Sequence, residues 1–291
     1  MTPPHKTQHP LKGVLFFITA IFLISVVDTI CKFFTKDLHS IQLVWGYFVG
    51  INLILWIFFF LKGKKLSKLR ATDRPFLQIA RPAFLVCSIS SLFVGLTYLP
   101  IAEATAIGFV APLFITVLSV PILKETVGIH RWSAVVIGLI GVIIIVRPGG
   151  DFWHFASIMP LLGALFFALF QIMTRLLSAT ENTYTTLFYT GLGGLGWSSL
   201  MVPFVWVPPF QIHILMFFAT GVMGALAHLC MISAFDRAEA SLLAPYNYTK
   251  LLWVAVLGYL IFGDIPSLDM WIGSVIIVSA GFYVLYREKK T

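Results

Sequence analysis

The sequence predicts an all-α, polytopic membrane protein: ten transmembrane helices arranged as two inverted five-helix repeats. Three observations carry this expectation. The 291 residues are 59% hydrophobic and only 11% charged, with a mean hydropathy of +0.93; a soluble domain carries roughly 25% charge. The apolar residues fall into ten windows, each near the ~20 residues that cross a bilayer at about 1.5 Å per residue. Features of the first half also recur in the same order in the second.

The windows of the first half fall at 13–34, 41–61, 76–98, 101–123 and 131–147. Those of the second half fall at 155–177, 183–206, 211–235, 239–262 and 266–286. The opening MTPPHKTQHPLKG followed by an apolar run is not a signal peptide. The run is too long for a signal core, carries Asp28 and Lys32 and lacks a small-residue cleavage site. It is read as a retained first helix.

Alternating the spans sorts the 20 Lys and Arg residues with a strong bias. Fifteen fall on the side of the N-terminus, only Lys36 and Arg147 on the other, and Lys32, Arg81 and Lys250 lie within spans. By the positive-inside rule both termini are cytoplasmic. The basic loop Lys62–Arg74 then serves as a topology signal beside anionic lipid.

The halves, 1–147 and 155–291, align through Glu103 with Glu239, Pro112 with Pro245, Glu125 with Asp264 and Trp132 with Trp271. Five spans per half is an odd number, so the halves enter the membrane from opposite sides. Such inversion lets one scaffold open to either face in turn.

Several stretches resemble a known family. RPFLQIARPAF, YLPIAEATAIGFVAPLF and RWSAVVIGLIGVIIIVRPG lie in the first half. ALFQIMTRLLS, APYNYTKLLWVAVLGYLIFGDIP and IGSVIIVSAGFYVL lie in the second. The chain is similar over nearly its whole length to ten-helix EamA-type transporters of the drug/metabolite transporter superfamily. Within that family the Ala-Pro-Tyr-Asn-Tyr string is similar to segments of S-adenosylmethionine and riboflavin carriers. The resemblance implies a multi-pass carrier in the plasma membrane (the bacterial inner membrane), with a cavity between the halves. Similar proteins often carry arginine in the second helix, where this chain has Tyr47.

The candidate site centres on the ninth span. In an ideal helix Tyr246, Lys250 and Trp253 share one face. An aromatic on either side of a cation suits a flat cargo bearing an anionic group. A charge inside a span is a functional candidate by default, although permanent pairing with an acid elsewhere in the bundle is the alternative for Lys250. Its counterpart in the first half is Phe114 or Val117, so the scaffold is duplicated and the charge is not. Pro245 removes a backbone bond just before this face, as in the broken helices of carriers, and Pro112 stands in the same place in the fourth span.

Asp28 either lines the cavity or is neutralised by Lys32 one turn on. Tyr47, Gln171 and Tyr189 complete the substrate-binding candidates. Glu103, Glu239 and His228 are the candidates for gating or proton coupling. The helix dipole alone accounts for a carboxylate in a first turn, and a lone histidine more often bonds a neighbouring helix. Arg81 and Arg175, near span ends, are expected to snorkel to the membrane surface.

Cys31, Cys87 and Cys230 each stand alone in an apolar run, and no Walker or metal-binding spacing is present. No cofactor, metal or nucleic acid is therefore expected, and no enzymatic nucleophile. The expected partners are a small-molecule substrate and membrane lipid, with a homodimer left open. The function read from the sequence is secondary or facilitative transport of a small polar or amphiphilic metabolite. A lipid-headgroup flippase or a broad drug exporter of the same fold is the alternative.

Overall fold

The computed structural model describes residues 9–34, 37–61, 63, 69–96, 107–146 and 158–262, with scattered positions between 268 and 286. The tenth predicted span lies largely outside the described residues, as do Glu103 and Asp264. The described secondary structure is entirely helical. In order the helices are α1 (Pro10–Phe34), α2 (Ser40–Leu61), α3 (Pro75–Leu96), α4 (Ala111–Leu118) and α5 (Ile129–Val146). They continue as α6 (Ile158–Ser178), α7 (Thr183–Ser199), α8 (Gln211–Phe235), α9 (Ala240–Leu243) and α10 (Thr249–Phe262). Five of these, α1, α2, α3, α6 and α8, are long and apolar enough to cross a membrane.

The helix boundaries follow local chemistry. The Asn182 side chain accepts the Tyr184 N–H at 2.9 Å and so caps α7. At its other end α7 stops at Ser199, seven residues short of the predicted end. A 3-10 turn, Val202–Val205, follows, and Pro203 at its start has no N–H with which to continue the helix. The fourth span begins α4 at the Ala111-Pro112 step and ends in a π-helical turn, Ser119–Leu123. Lys124 then adopts a left-handed conformation, φ 56°, which turns the chain sharply before Glu125.

The ninth span breaks at the proline that the sequence marks, so the single ideal helix used to group Tyr246, Lys250 and Trp253 does not hold through it. Pro245 lies in a 3-10 turn, Ala244–Tyr248, that separates α9 from α10. Proline lacks the donor for an i−4 bond and crowds the preceding turn, so the tighter winding replaces α-helix there.

The strongest packing runs α1 along α8 and α3 along α6. Helix α2 packs on α8 and α7, and α7 packs on α3. Helix α4 packs on α6, and α1 on α10. Where α2 crosses α8 the backbones meet: a Cβ on Gly50 would lie 1.9 Å from the Phe217 carbonyl oxygen and 2.9 Å from the Gly221 Cα. Only glycine permits that approach. Phe17 of α1 and Phe235 of α8 meet edge to face at 5.7 Å and fix the neighbouring contact.

Candidate functional site

The predicted site residues separate into three places. The first is the junction of α1 and α10. Lys250, second residue of α10, puts its Nζ 2.6 Å from Oδ2 of Asp28. Asp28 is thus held from across the bundle; the Lys32 side chain, its expected local partner, lies outside the described set. Both partners stay partly open, with 35% and 48% of their side chains exposed. The 3-10 turn changes the predicted face. Tyr246 sits within that turn and is buried at 4% exposure, while Lys250 and Trp253 ride on α10 beyond it. Trp253 meets Phe22 of α1 edge to face at 5.1 Å, and its buried indole N–H has no acceptor among the described residues. Next to Tyr246, Asn247 accepts a bond from Gln171 Nε2 at 2.9 Å, tying the turn to α6. Asn247 was not singled out from sequence, although an amide beside a proline within an apolar span is its signal.

The second place lies deeper. Tyr47 of α2 and His228 of α8 join through the phenol oxygen and Nε2 at 3.0 Å. The residue standing in for the family's arginine therefore bonds a neighbouring helix. The His228 ring lies 6.0 Å from Phe170, and the Arg81 guanidinium stacks 5.1 Å from the same ring. Arg81 does not snorkel. It is fully buried and bonds Thr174 of α6 and Thr186 and Thr190 of α7. Its nearness to the start of α3 is real, but α6 and α7 close over it, so the side chain has no path to the surface.

The third place is the end of the bundle where α1 and α3 begin. Glu125 accepts the Ala240 and Ser241 backbone N–H groups at 2.9 and 3.0 Å, capping the short α9 from outside. Arg175 Nε lies 3.7 Å from the Glu125 carboxylate. Its Nη1 donates to the Phe235 carbonyl, so it too points inward rather than to the membrane surface. Glu239, in the N-cap position of α9, pairs with Arg131 of α5. Arg131 also donates to the Ser241 hydroxyl at 2.7 Å. Sequence reading found Glu239 but not its partners, which lie more than 100 residues away. Tyr189 falls in none of these three places: its hydroxyl donates to the Arg70 carbonyl at 3.1 Å. No group of three or more metal-ligating side chains occurs among the described residues.

Known proteins resemble this chain over nearly its whole length. A model of the EamA-like transporter family matches residues 11–147 and again 154–286. An S-adenosylmethionine uptake transporter of Rickettsia prowazekii is 29% identical over 281 residues, covering 97% of this chain and 95% of its own. A riboflavin transporter of Vibrio cholerae is 31% identical over 291 residues, covering 98% and 96%. A protein known by its crystal structure superposes with TM-score 0.79 at 19% identity, over 95% of this chain and 98% of its own. That likeness shows the fold.

Proposed function

Because this chain belongs to the EamA-like transporter family, we propose that it carries a small polar or amphiphilic metabolite across the bacterial inner membrane by alternating access. It is a multi-pass membrane transporter and not an enzyme. The cargo classes favoured are amino-acid-like molecules, nucleoside-type cofactors such as S-adenosylmethionine, and flavins. These are what the names of its relatives describe. The carrying observation is the Lys250–Asp28 pair. It joins α1 to α10 just past the 3-10 turn, with both charges partly open. Irregular backbone beside a charged pair is where carriers bind cargo.

The inverted-repeat reading draws support from the packing. Pairing α1 with α6, α2 with α7, α3 with α8 and α4 with the ninth span turns each strong contact into another. The α1–α8 contact becomes α6–α3, α2–α8 becomes α7–α3, and α4–α6 becomes α10–α1. In this reading both termini are cytoplasmic. Glu125 on the α9 amides and Arg131 on Glu239 then latch the two halves together at the cytoplasmic face. Opening that latch exposes the site inward. The deciding experiment is uptake by proteoliposomes of radiolabelled S-adenosylmethionine, riboflavin and a set of amino acids, with and without a pH gradient. Saturable uptake of one class, competed by its unlabelled form, is expected. Absence of uptake for every class, in protein that reconstitutes in folded form, overturns the cargo assignment.

A further inference from the structure

Arg81 lies inside the bundle without a carboxylate partner among the described residues. Its Nη1 donates to the Thr174 hydroxyl at 2.9 Å. Its Nη2 donates to the Thr186 carbonyl at 2.9 Å and to the Thr190 hydroxyl. Both hydroxyls give their own protons to helix carbonyls, Thr174 to Phe170 and Thr190 to Thr186, each at 2.7 Å. They therefore face the guanidinium as oriented acceptors. All these partners are neutral. A guanidinium cannot shed its charge in a protein, and its five N–H groups all seek acceptors. Its Nε is buried and has none among the described residues.

Gln78 stands three residues earlier on α3, so the two side chains share a face. It is also fully buried, and its Oε1 has no hydrogen-bond partner among the described residues. The other end of the amide meets the Thr186 hydroxyl at 3.3 Å. A hydroxyl both donates and accepts, so the Gln78 amide keeps this bond in either orientation. Turned about, its NH₂ group becomes the free end, on the face of α3 that Arg81 shares. An unbalanced charge with unmatched donors inside a membrane protein is energetically unfavourable unless something of opposite sign arrives to meet it.

We propose that Arg81 and Gln78 form an anion-binding site on α3, its ligand a single carboxylate or halide-sized anion. The Lys250–Asp28 pair is neutral as a unit, and Arg81 is a buried cation without a carboxylate partner among the described residues, suited to select an anionic group. Two sources share this chemistry. One is the carboxylate of the cargo, an assignment that rests on the transport reading above; the other is a free anion such as chloride, which does not.

The test uses the full-length protein in two arms. In proteoliposomes, S-adenosylmethionine and its analogue lacking the carboxylate compete for uptake. In detergent, the unfolding temperature is compared in chloride and in gluconate at equal ionic strength. If the cargo supplies the anion, the wild type prefers the carboxylate form by about tenfold or more, as a charge-assisted bond implies. Arg81→Gln then brings the two probes to within about twofold. If a free anion is the ligand, chloride raises the unfolding temperature of the wild type and leaves that of Arg81→Gln unchanged. Should Arg81→Gln not fold, Gln78→Leu keeps the arginine and its threonines and must weaken whichever effect the wild type shows by about threefold or more. Failure of S-adenosylmethionine uptake removes the cargo arm alone, and the chloride arm still decides the site. Equal handling of both probes together with no anion effect on unfolding overturns the proposal.

Discussion

Replacing Lys250 with alanine separates a transport role from a structural one. In the structure its ammonium meets Asp28 at 2.6 Å while 35% of the lysine and 48% of the aspartate side chain stay exposed. Ion pairs open to that degree contribute little to stability, about 0.2–1 kcal/mol, because solvent screens both charges. A sealed pair behaves differently: removing one partner strands the other charge and costs about 3–5 kcal/mol. Lys250→Ala is therefore expected to lower the unfolding temperature by only a few degrees, about 2–4 °C for each kcal/mol in a chain of this size class. Uptake is expected to fall by about tenfold or more, as loss of a charged contact to cargo implies. Thermal unfolding in detergent and initial uptake rates in proteoliposomes measure the two. The exchanged double variant, Asp28→Lys with Lys250→Asp, restores the pair but reverses its polarity toward the cargo, so stability returns and uptake does not. Wild-type uptake by Lys250→Ala, or restored uptake in the exchanged variant, refutes the site. Collapse of folding would make the pair a structural lock instead.

Three further outcomes follow from geometry. Glu125→Ala removes the acceptor of the Ala240 and Ser241 N–H groups and the partner of Arg175. It is expected to destabilise by about 1–3 kcal/mol. It should also speed thiol labelling of Ser241→Cys from the cytoplasmic side; unchanged labelling would remove the latch. Gly50→Ala places a Cβ 1.9 Å from the Phe217 carbonyl oxygen, a backbone atom with no room to give, and should abolish monodisperse expression. Gly196→Ala meets nothing within 4 Å and should be tolerated. Tyr47→Phe takes away the group that meets His228 Nε2 at 3.0 Å. A loss of about 1–3 kcal/mol in unfolding free energy is expected where a buried partner is left unmatched.

Five of the ten predicted spans were legible in the sequence because hydropathy is additive along the chain. A window of some twenty apolar residues needs no partner to be recognised, and α1, α2, α3, α6 and α8 follow such windows closely. The break in the ninth span was legible for a different reason: proline acts on its own backbone, and Pro245 marks the 3-10 turn without outside help. What was not legible was the pairing of charges. Asp28 offered a local partner in Lys32, and local spacing has no access to a lysine on another helix that folding brings within 2.6 Å. Arg81 illustrates the same limit more sharply. Its position near the start of α3 fits a side chain that reaches the membrane surface and fits equally one that is sealed in. Two of its partners, Thr186 and Thr190, lie 105 and 109 residues away, and only their arrival decides which.

That division has a physical consequence for how the site relates to the scaffold. In the proposed inverted repeat the contacts of one half, α1 on α8 and α2 on α8, correspond to contacts of the other, α6 on α3 and α7 on α3. The acids Glu103 and Glu125 have acidic counterparts in the alignment, but the charge of Lys250 does not repeat. Lys250 faces the first half's apolar Phe114 or Val117 in the alignment, and Arg81 of α3 has His228 among its neighbours on the corresponding helix α8. Under the proposed alternating access, a symmetric scaffold supplies two equivalent states, and a cargo site must be met from both. Placing its charged groups where the halves touch, Asp28 from one and Lys250 from the other, lets each state present the same pair of groups. The unrepeated residues are thus the ones expected to set what is carried, and the repeated ones to set how the chain moves.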